Sequence, residues 1–318
     1  MRKSPIEMDY NELNNELDLL LKAEDLPFSV EYSGKKINYF KYNKPRLFIT
    51  ALSRIINAAL FYRIHINKKL GPLRKERFLK SFKLYFYIFK IALPDLLTHI
   101  GGRFDNKIAS SYILAAMLYD AACDVPSYRK YLRELNDFIM FNKEIKPTDK
   151  YLTLFKESTD YLQSVLDKKT YDTFVNYIKI EHFCQLMSIY QLSDKLISKN
   201  NLFKITLAKG GITLMAGLYL MAPKTGKEVR KAVYELGGIL QIFEDIYDIK
   251  EDLEMGILTM SNQKMINYEE MKDLYFGTIN NFIEKCNLDP NCPNSTLDIL
   301  SFATGRLIER RYKSFTIR

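Results

Sequence analysis

Apolar residues recur at intervals of three and four positions along most of this 318-residue chain. Because an α-helix turns once every ~3.6 residues, that spacing collects apolar side chains on one face of a helix. Gly and Pro, with 13 and 10 copies, are too scarce for a turn-rich sheet protein, and they cluster where the pattern breaks. The sequence therefore predicts an all-α fold, with helices over residues 6–23, 46–68, 73–99, 107–124, 127–143, 148–165, 169–197, 201–221, 226–254, 267–286 and 295–313.

No feature of the sequence divides the chain. It has no internal repeat, low-complexity tract or long polar linker, so we predict a single domain over residues 1–318, in which 1–40 contribute a peripheral N-terminal helix. Every apolar run of membrane-spanning length, about 18 residues, contains charged residues. The first residues lack the apolar centre of a signal peptide. These features predict a cytoplasmic protein.

The cysteines, the histidines and the net charge limit the kinds of metal site and ligand that the chain is expected to have. The four Cys are far apart or lie within helical patterns, which predicts free thiols rather than disulfides or a zinc site. None of the three His forms a metal-ligand pair, so a bound metal should be a hard cation held by oxygen. Surface lysines are the simplest explanation of the net charge of +9; an anionic substrate and an anionic membrane surface are the sharper alternatives. Nucleic acid is not predicted, because no binding motif accompanies the charge.

The predicted helix 107–124 ends in two carboxylates. Apolar side chains cover its full circumference, so it should be buried on all sides. Asp120 and Asp124 are four residues apart and share a face, and Pro126 places the end of the helix at Val125. The helix dipole and desolvation both disfavour anions there unless a cation is close. Two acids that meet by chance at a helix end are the simpler alternative.

A second acidic cluster lies near the end of the predicted helix 226–254. Five acids fall within nine residues, where the composition predicts about one, and they span roughly 120° of the helix: Glu244, Asp245, Asp248, Glu251 and Asp252. The opposite face is apolar, with Ile242, Ile246, Ile249 and Leu253. Lys250 points away from the acids, so their like charges repel one another. The cluster predicts a divalent cation, and Mg²⁺ suits carboxylate oxygens; a solvated acidic face is the alternative.

The first pair resembles a motif of the class I isoprenoid synthase superfamily, which includes trans-polyprenyl synthases, squalene and phytoene synthases and terpene cyclases. The Asp-Asp-x-x-Asp motif of polyprenyl synthases is followed by two basic residues. Here Asp120 and Asp124 are followed by Arg129 and Lys130, but Ala121 stands in the place of the second Asp. The remaining Asp-x-x-x-Asp also resembles the first motif of squalene and phytoene synthases.

The second cluster resembles the other motif of the same superfamily. Within residues 238–248, GILQIFEDIYD, the run from Gln241 to Asp248 is similar to the Gln-x-x-Asp-Asp-x-x-Asp of polyprenyl synthases, with Glu244 in the first acidic place. Residues 248–252 also match the Asp-x-x-Glu-Asp of squalene and phytoene synthases. Lys209, followed by two Gly, stands where polyprenyl synthases place a diphosphate-binding Lys. Fainter similarities to basic sites of the superfamily involve Lys44, Arg46, Arg311 and Tyr312.

The resemblance covers about residues 40–260 and implies an antiparallel helical bundle of the isoprenoid synthase type, with the two clusters facing each other across a deep central cavity. It implies several Mg²⁺ ions that hold a prenyl diphosphate, with the metal ligands Asp120, Asp124, Glu244, Asp245, Asp248, Glu251 and Asp252. Of these, the implied catalytic residues are Asp120, Asp124, Asp248 and Asp252. The implied diphosphate-binding residues are Arg129, Lys130, Lys209, Gln241, Lys44, Arg46, Arg311 and Tyr312.

Three functions stay open at this point. The first is a prenyltransferase that ionises an allylic diphosphate and condenses the carbocation with a second substrate, which the two basic residues after the first motif favour. The second is a terpene cyclase acting on a single prenyl diphosphate, which Ala121 favours. The third is a helical partner subunit that has lost turnover. A homodimer and peripheral contact with a membrane are compatible with each of them.

Overall fold

The computed structural model of the protein describes residues 3–30, 53–54, 56–71, 73, 90, 93–94, 96–192, 197–247 and 249–287. These residues form helices, turns and connections, and they include no β-strand, which confirms the predicted all-α class. The longer helices are α1 Tyr10–Ala23, α2 Asn106–Asp124, α3 Leu132–Phe141, α4 Lys150–Val165, α5 Lys168–Ile189, α6 Lys199–Tyr219, α7 Lys227–Tyr247, α8 Ile249–Met255 and α9 Tyr268–Lys285.

Most predicted helices agree with the observed ones to within a few residues, and the differences have local causes. The helix predicted over 127–143 begins only at Leu132, because Pro126 opens a 3-10 helix that runs to Tyr131. It ends at Phe141, because Asn142 adopts the left-handed conformation, with φ of 53°. The predicted helices 46–68 and 73–99 are described only in part, and 295–313 lies outside the described residues.

Side-chain caps help determine where several of the helices begin. Asp9, Asp105, Asp149 and Asn267 precede α1, α2, α4 and α9, and each accepts a hydrogen bond from a backbone N–H of the first turn. At α1 and α9 the cap is reciprocal, since a Glu at the third helical position accepts from the backbone N–H of the capping residue. Each cap contributes about 1 kcal/mol to stability. Such caps involve neighbours in sequence, which is why helix starts are readable from it.

The chain folds as two compact units. The first comprises residues 1–42, 183–215 and 226–318, and the second comprises 43–182 and 216–225. The single domain, the isoprenoid synthase type of bundle and the central cavity stay predictions.

In the described part of the chain, no single helix combines the length and apolar character needed to cross a membrane. Taken together, α2 and Ser127–Phe141 have that length and composition, but the pair is bent.

In the first unit, α1 is anchored by both apolar and charged contacts. One face of α1 buries three side chains: Leu13, Leu17 and Leu21. The buried Lys204 of α6 donates from Nζ to Asn14 Oδ1 at 2.6 Å and forms an ion pair with Asp18. The hydroxyl of Tyr234 on α7 donates to the carbonyl of Pro27 at 3.3 Å. The N-terminal residues therefore contribute to the packing of this unit.

In the second unit, α2 packs against α4 and against the 3-10 helix Pro126–Tyr131. The aromatic rings of Tyr131 and Tyr151 stack with centroids 4.3 Å apart. The Tyr151 hydroxyl donates to the carbonyl of Leu118, and the Tyr131 hydroxyl donates to Asp149. These contacts fix the last turns of α2, where the first acidic pair lies.

Candidate functional site

The first acidic pair occupies the carboxyl end of α2. Thirteen of the side chains of α2 are buried, which confirms the prediction of a helix buried on all sides. Asp120 is half-buried and Asp124 is exposed, one turn apart on the last turns of the helix. The helix ends as predicted, with Val125 as its C-cap and the Val125 N–H bonded to the carbonyl of Ala121. The two carboxylates thus stand where the helix dipole is negative.

Arg129 returns to this helix end from the 3-10 helix that follows. Its Nε donates to the carbonyl oxygen of Cys123 at 3.3 Å. Cys123 directly precedes Asp124, so the guanidinium brings positive charge to the same turn that carries the acids. A guanidinium has five N–H donors, and this bond uses one of them. The ammonium of Lys130 lies over the Tyr131 ring, 4.7 Å from its centroid.

A buried polar chain runs through the core beside Asp120. The hydroxyl of Tyr119 lies 2.6 Å from His182 Nδ1, and His182 Nε2 lies 2.9 Å from Asn136 Oδ1. Burial lowers the pKa of His182 to about 3, so its imidazole is neutral. Because the Asn136 oxygen can only accept, Nε2 carries the proton, and Nδ1 accepts from the Tyr119 hydroxyl. This chain holds in place the residue that precedes Asp120.

The sequence by itself does not reveal this polar chain. His182 forms no recognisable motif, and its two partners lie 63 and 46 positions away in sequence. Burial also raises the pKa of Tyr119 well above its ordinary value, with Cys123 and Glu181 as further contributors. Tyr119 belongs to the apolar pattern of α2, so a helical wheel cannot distinguish it from an ordinary core residue.

The second acidic cluster follows α7 into α8. Glu244, Asp245 and Asp252 are half-buried. Gln241, one turn before Glu244, donates from Nε2 to Glu244 Oε2 at 2.7 Å. Asp248 and the side chain of Glu251 lie outside the described residues. The motif residues Gln241 and Glu244 are thus in direct contact.

The apolar face opposite the cluster is observed for three of its four predicted members. Ile242, Ile246 and Ile249 are buried, whereas Leu253 is 49% exposed, so the buried face ends before the last turn of α8. Lys250 pairs with Glu254 at 3.9 Å, outside the predicted acidic arc. Glu244, Asp245 and Asp252 therefore lie on the more accessible side of α7 and α8, opposite the buried isoleucines.

The crossing of α6 and α7 brings Gly210, the residue after Lys209, against Gln241. A Cβ added at Gly210 would lie 2.5 Å from Gln241 Cβ and in collision with the carbonyl of Gly237. Gly211 meets Tyr234 and Gly238 meets Leu207 in the same way, so the two backbones touch where their glycines face each other. Lys209, half-buried, directly precedes this contact. The glycines act as packing positions, and α6 is described as one helix through them.

The predicted site residues fall into separate groups. Asp120, Asp124, Arg129 and Lys130 belong to the second unit, and Lys209, Gln241, Glu244, Asp245 and Asp252 belong to the first. That the two groups face each other stays a prediction. The remaining predicted residues lie outside the described part of the chain: Lys44, Arg46, Asp248, Arg311 and Tyr312.

The donor set is compatible with magnesium. Among the described residues, no group of three or more His, Cys, Asp and Glu is arranged to hold a metal ion. Mg²⁺ does not require such a cage, because it is usually bound through one or two carboxylates together with water and substrate phosphates. The half-buried Asp120 and the exposed Asp124 supply carboxylates of that kind. A scan against known protein families, a search of curated proteins and a search of solved structures each gave no match.

Proposed function

We propose that this protein is a magnesium-dependent enzyme that ionises an allylic prenyl diphosphate and transfers the resulting prenyl group to a second substrate. The observation that carries the proposal is the contact between α6 and α7, in which Gly210, the residue after Lys209, packs against Gln241, whose side chain donates to Glu244 at the start of the acidic run. A lysine on one of two crossing helices and a run of carboxylates on the other suit a ligand that is itself anionic and binds together with divalent cations.

The residues take the roles that their chemistry allows. Magnesium would be held by Asp120 and Asp124 in one unit, and in the other by Glu244, Asp245, Asp248, Glu251 and Asp252. When bound, the metal would neutralise the charge that develops on the leaving diphosphate. Arg129, Lys130 and Lys209 would donate hydrogen bonds to the diphosphate oxygens. Gln241 would orient Glu244 through the hydrogen bond between them.

The energetics of the helix ends support a cation requirement. A carboxylate in the last turn of a helix is destabilised by ~0.3–1 kcal/mol through the dipole. Asp120 and Asp124 are placed this way at the end of α2, and Glu244 and Asp245 at the end of α7. The hydrogen bond from Arg129 to the Cys123 carbonyl offsets part of this cost at α2. Divalent cations would offset more, and such strain is common where a site is arranged for a ligand.

A product assay tests the proposal. The protein is incubated with dimethylallyl, geranyl or farnesyl diphosphate, with and without isopentenyl diphosphate, in magnesium and after chelation. We expect longer prenyl diphosphates only when magnesium and isopentenyl diphosphate are both present. Asp124→Asn should lower turnover by about 100-fold, whereas Asp172→Asn, an exposed Asp on α5, should not change it. Turnover that survives chelation would overturn the proposal.

A second candidate is a terpene cyclase, and the burial of Ala121 favours it. In polyprenyl synthases the second Asp of the first motif occupies the place of Ala121. Here that side chain is only 1% exposed, so position 121 faces the core and cannot present a carboxylate. Cyclic or volatile hydrocarbons from a single diphosphate, with no response to isopentenyl diphosphate, would establish this function in place of condensation.

The third candidate, a partner subunit without turnover, is separated by a different result. Such a subunit would release no diphosphate by itself and would support the activity of another chain. Replacing Asp248 by Ala would leave that supported activity intact, whereas an active enzyme would lose turnover. Release of diphosphate by the purified chain alone therefore excludes a purely supporting role.

A further inference from the structure

An exposed apolar face runs along the helical residues 56–70 of the second unit. Ile56, Leu60 and Ile64 follow one another at intervals of four, and their side chains are 52%, 49% and 60% exposed. The other side of the same segment is buried through Ala58, Phe61, Ile66 and Leu70. The core is thus satisfied without the three exposed residues. Contiguous apolar surface of this kind marks interaction sites.

The segment that carries this face is fixed to its unit. The ammonium of Lys90 lies over the rings of Phe61 and Phe104, 5.2 and 4.0 Å from their centroids, and donates to Asn106 Oδ1 at 2.9 Å. The ring of Phe61 also packs edge-on against Phe104, with centroids 6.0 Å apart. Because Phe61 is held on the inner side, the stripe formed by Ile56, Leu60 and Ile64 is held facing outward.

The chain around the stripe is strongly basic. Residues 32–94 contain fifteen Lys and Arg and a single acid, Glu76, which gives this part of the sequence a formal charge of +14, whereas the whole chain carries +9. The rest of the chain is therefore net acidic. On the described segment itself, Arg63 and Lys68 are exposed next to the stripe. Along the sequence, the net charge is thus concentrated in the part of the chain that carries the apolar face.

We propose that the stripe formed by Ile56, Leu60 and Ile64, with Arg63 and Lys68 beside it, docks the protein onto the surface of an anionic lipid bilayer. A helix that combines exposed aliphatic side chains with basic neighbours binds at the boundary between headgroups and acyl chains. Nucleic acid would match the charge but offers no apolar counterpart for three aliphatic side chains. A second copy of the chain would bring another strongly basic segment to the contact and repel it.

Vesicle binding tests this surface on the full-length protein. Sedimentation is compared for vesicles of phosphatidylcholine alone and of an equimolar mixture of phosphatidylcholine and phosphatidylserine. We expect binding to the anionic vesicles, reduced by salt. The triple variant Ile56→Gln, Leu60→Gln and Ile64→Gln should lower the partition coefficient about 100-fold. The double variant Arg63→Gln and Lys68→Gln should lower it about tenfold on anionic vesicles only.

The control is a matched triple variant on other exposed apolar residues: Leu19→Gln, Phe141→Gln and Val165→Gln, which are 61%, 46% and 45% exposed. This control should bind anionic vesicles as the unchanged protein does, and thermal unfolding of all variants should show that they are folded. Equal binding by the unchanged protein and the stripe variant would overturn the proposal. The proposal would also be overturned if the protein did not bind vesicles but formed a dimer that the stripe variant lacks. Binding to RNA that depends on the stripe, with no binding to lipid, would overturn it as well.

Discussion

Gly210 lies where α6 and α7 touch, and Gly210→Ala is the most direct test of that contact. The added Cβ would meet the Gly237 carbonyl and would lie 2.5 Å from Gln241 Cβ, where ordinary contacts are about 3.4–4 Å. The obstacles are a backbone oxygen and a Cβ, which no rotamer change can move. The helices must therefore separate by roughly 1 Å. We expect this to lower the free energy of unfolding by ~3 kcal/mol, at the upper end of the range for overpacked cores. Because Ala has a higher helix propensity than Gly, the substitution also stabilises the helix by ~1 kcal/mol.

The net effect expected of Gly210→Ala is about 2 kcal/mol of lost stability, or a decrease of about 4 °C in the midpoint of thermal unfolding followed by circular dichroism. Gly226→Ala is the matched control, because a Cβ added there meets no heavy atom within 4 Å in the described structure. We expect Gly226→Ala to change the midpoint by less than about 1 °C or to raise it slightly. Equal midpoints for the two variants would refute the close crossing of α6 and α7.

Three further variants probe other parts of the fold. Lowering the pH from 7 to 5 should reduce the free energy of unfolding by ~2 kcal/mol through His182, because this residue takes up a proton when unfolded but, with a pKa of about 3, not when folded. In urea unfolding, His182→Gln should remove that part of the loss. Lys204→Met should lower the stability measured by thermal unfolding by ~2 kcal/mol, because Asp18 loses its buried partner. The control Lys143→Met, which removes an exposed ion pair, should lower it by less than ~0.5 kcal/mol. Ala121→Asp should reduce stability by ~3 kcal/mol and yield no gain in chain elongation, as a melting curve and a product assay would reveal.

The helices could be predicted wherever their determinants are local. The end of α2 at Val125 follows from Pro126, and the burial of α2 follows from its apolar circumference. The apolar side predicted for the helix 226–254 is observed along α7 and at Ile249, the first residue of α8, but the prediction is wrong at Leu253. A helical wheel gives the direction of a side chain, but it does not indicate where the neighbouring element ends, and that end decides which turn is exposed.

The contacts between residues distant in sequence that shape the candidate site could not be predicted from the sequence. Gly210 and Gly237 are 27 positions apart, and each by itself would only be counted as a poor helix former. Their pairing makes sense only once the two helices are in contact. The link between Tyr119 and His182 has the same non-local origin. The motif spacing does indicate the contact of Gln241 with Glu244, because both residues lie within one turn of a single helix.

The polar chain from Tyr119 through His182 to Asn136 has a fixed direction. Each member donates to the next, and Asn136 in turn donates from Nδ2 to Asp137 Oδ1 at 3.3 Å. Such a row could carry a proton only from Tyr119 towards Asn136, but the buried imidazole, with a pKa of about 3, and the Asn136 amide are both poor proton acceptors. The row is therefore a poor route for protons next to Asp120. An acceptor for any proton released there should be sought on the substrate or in solvent.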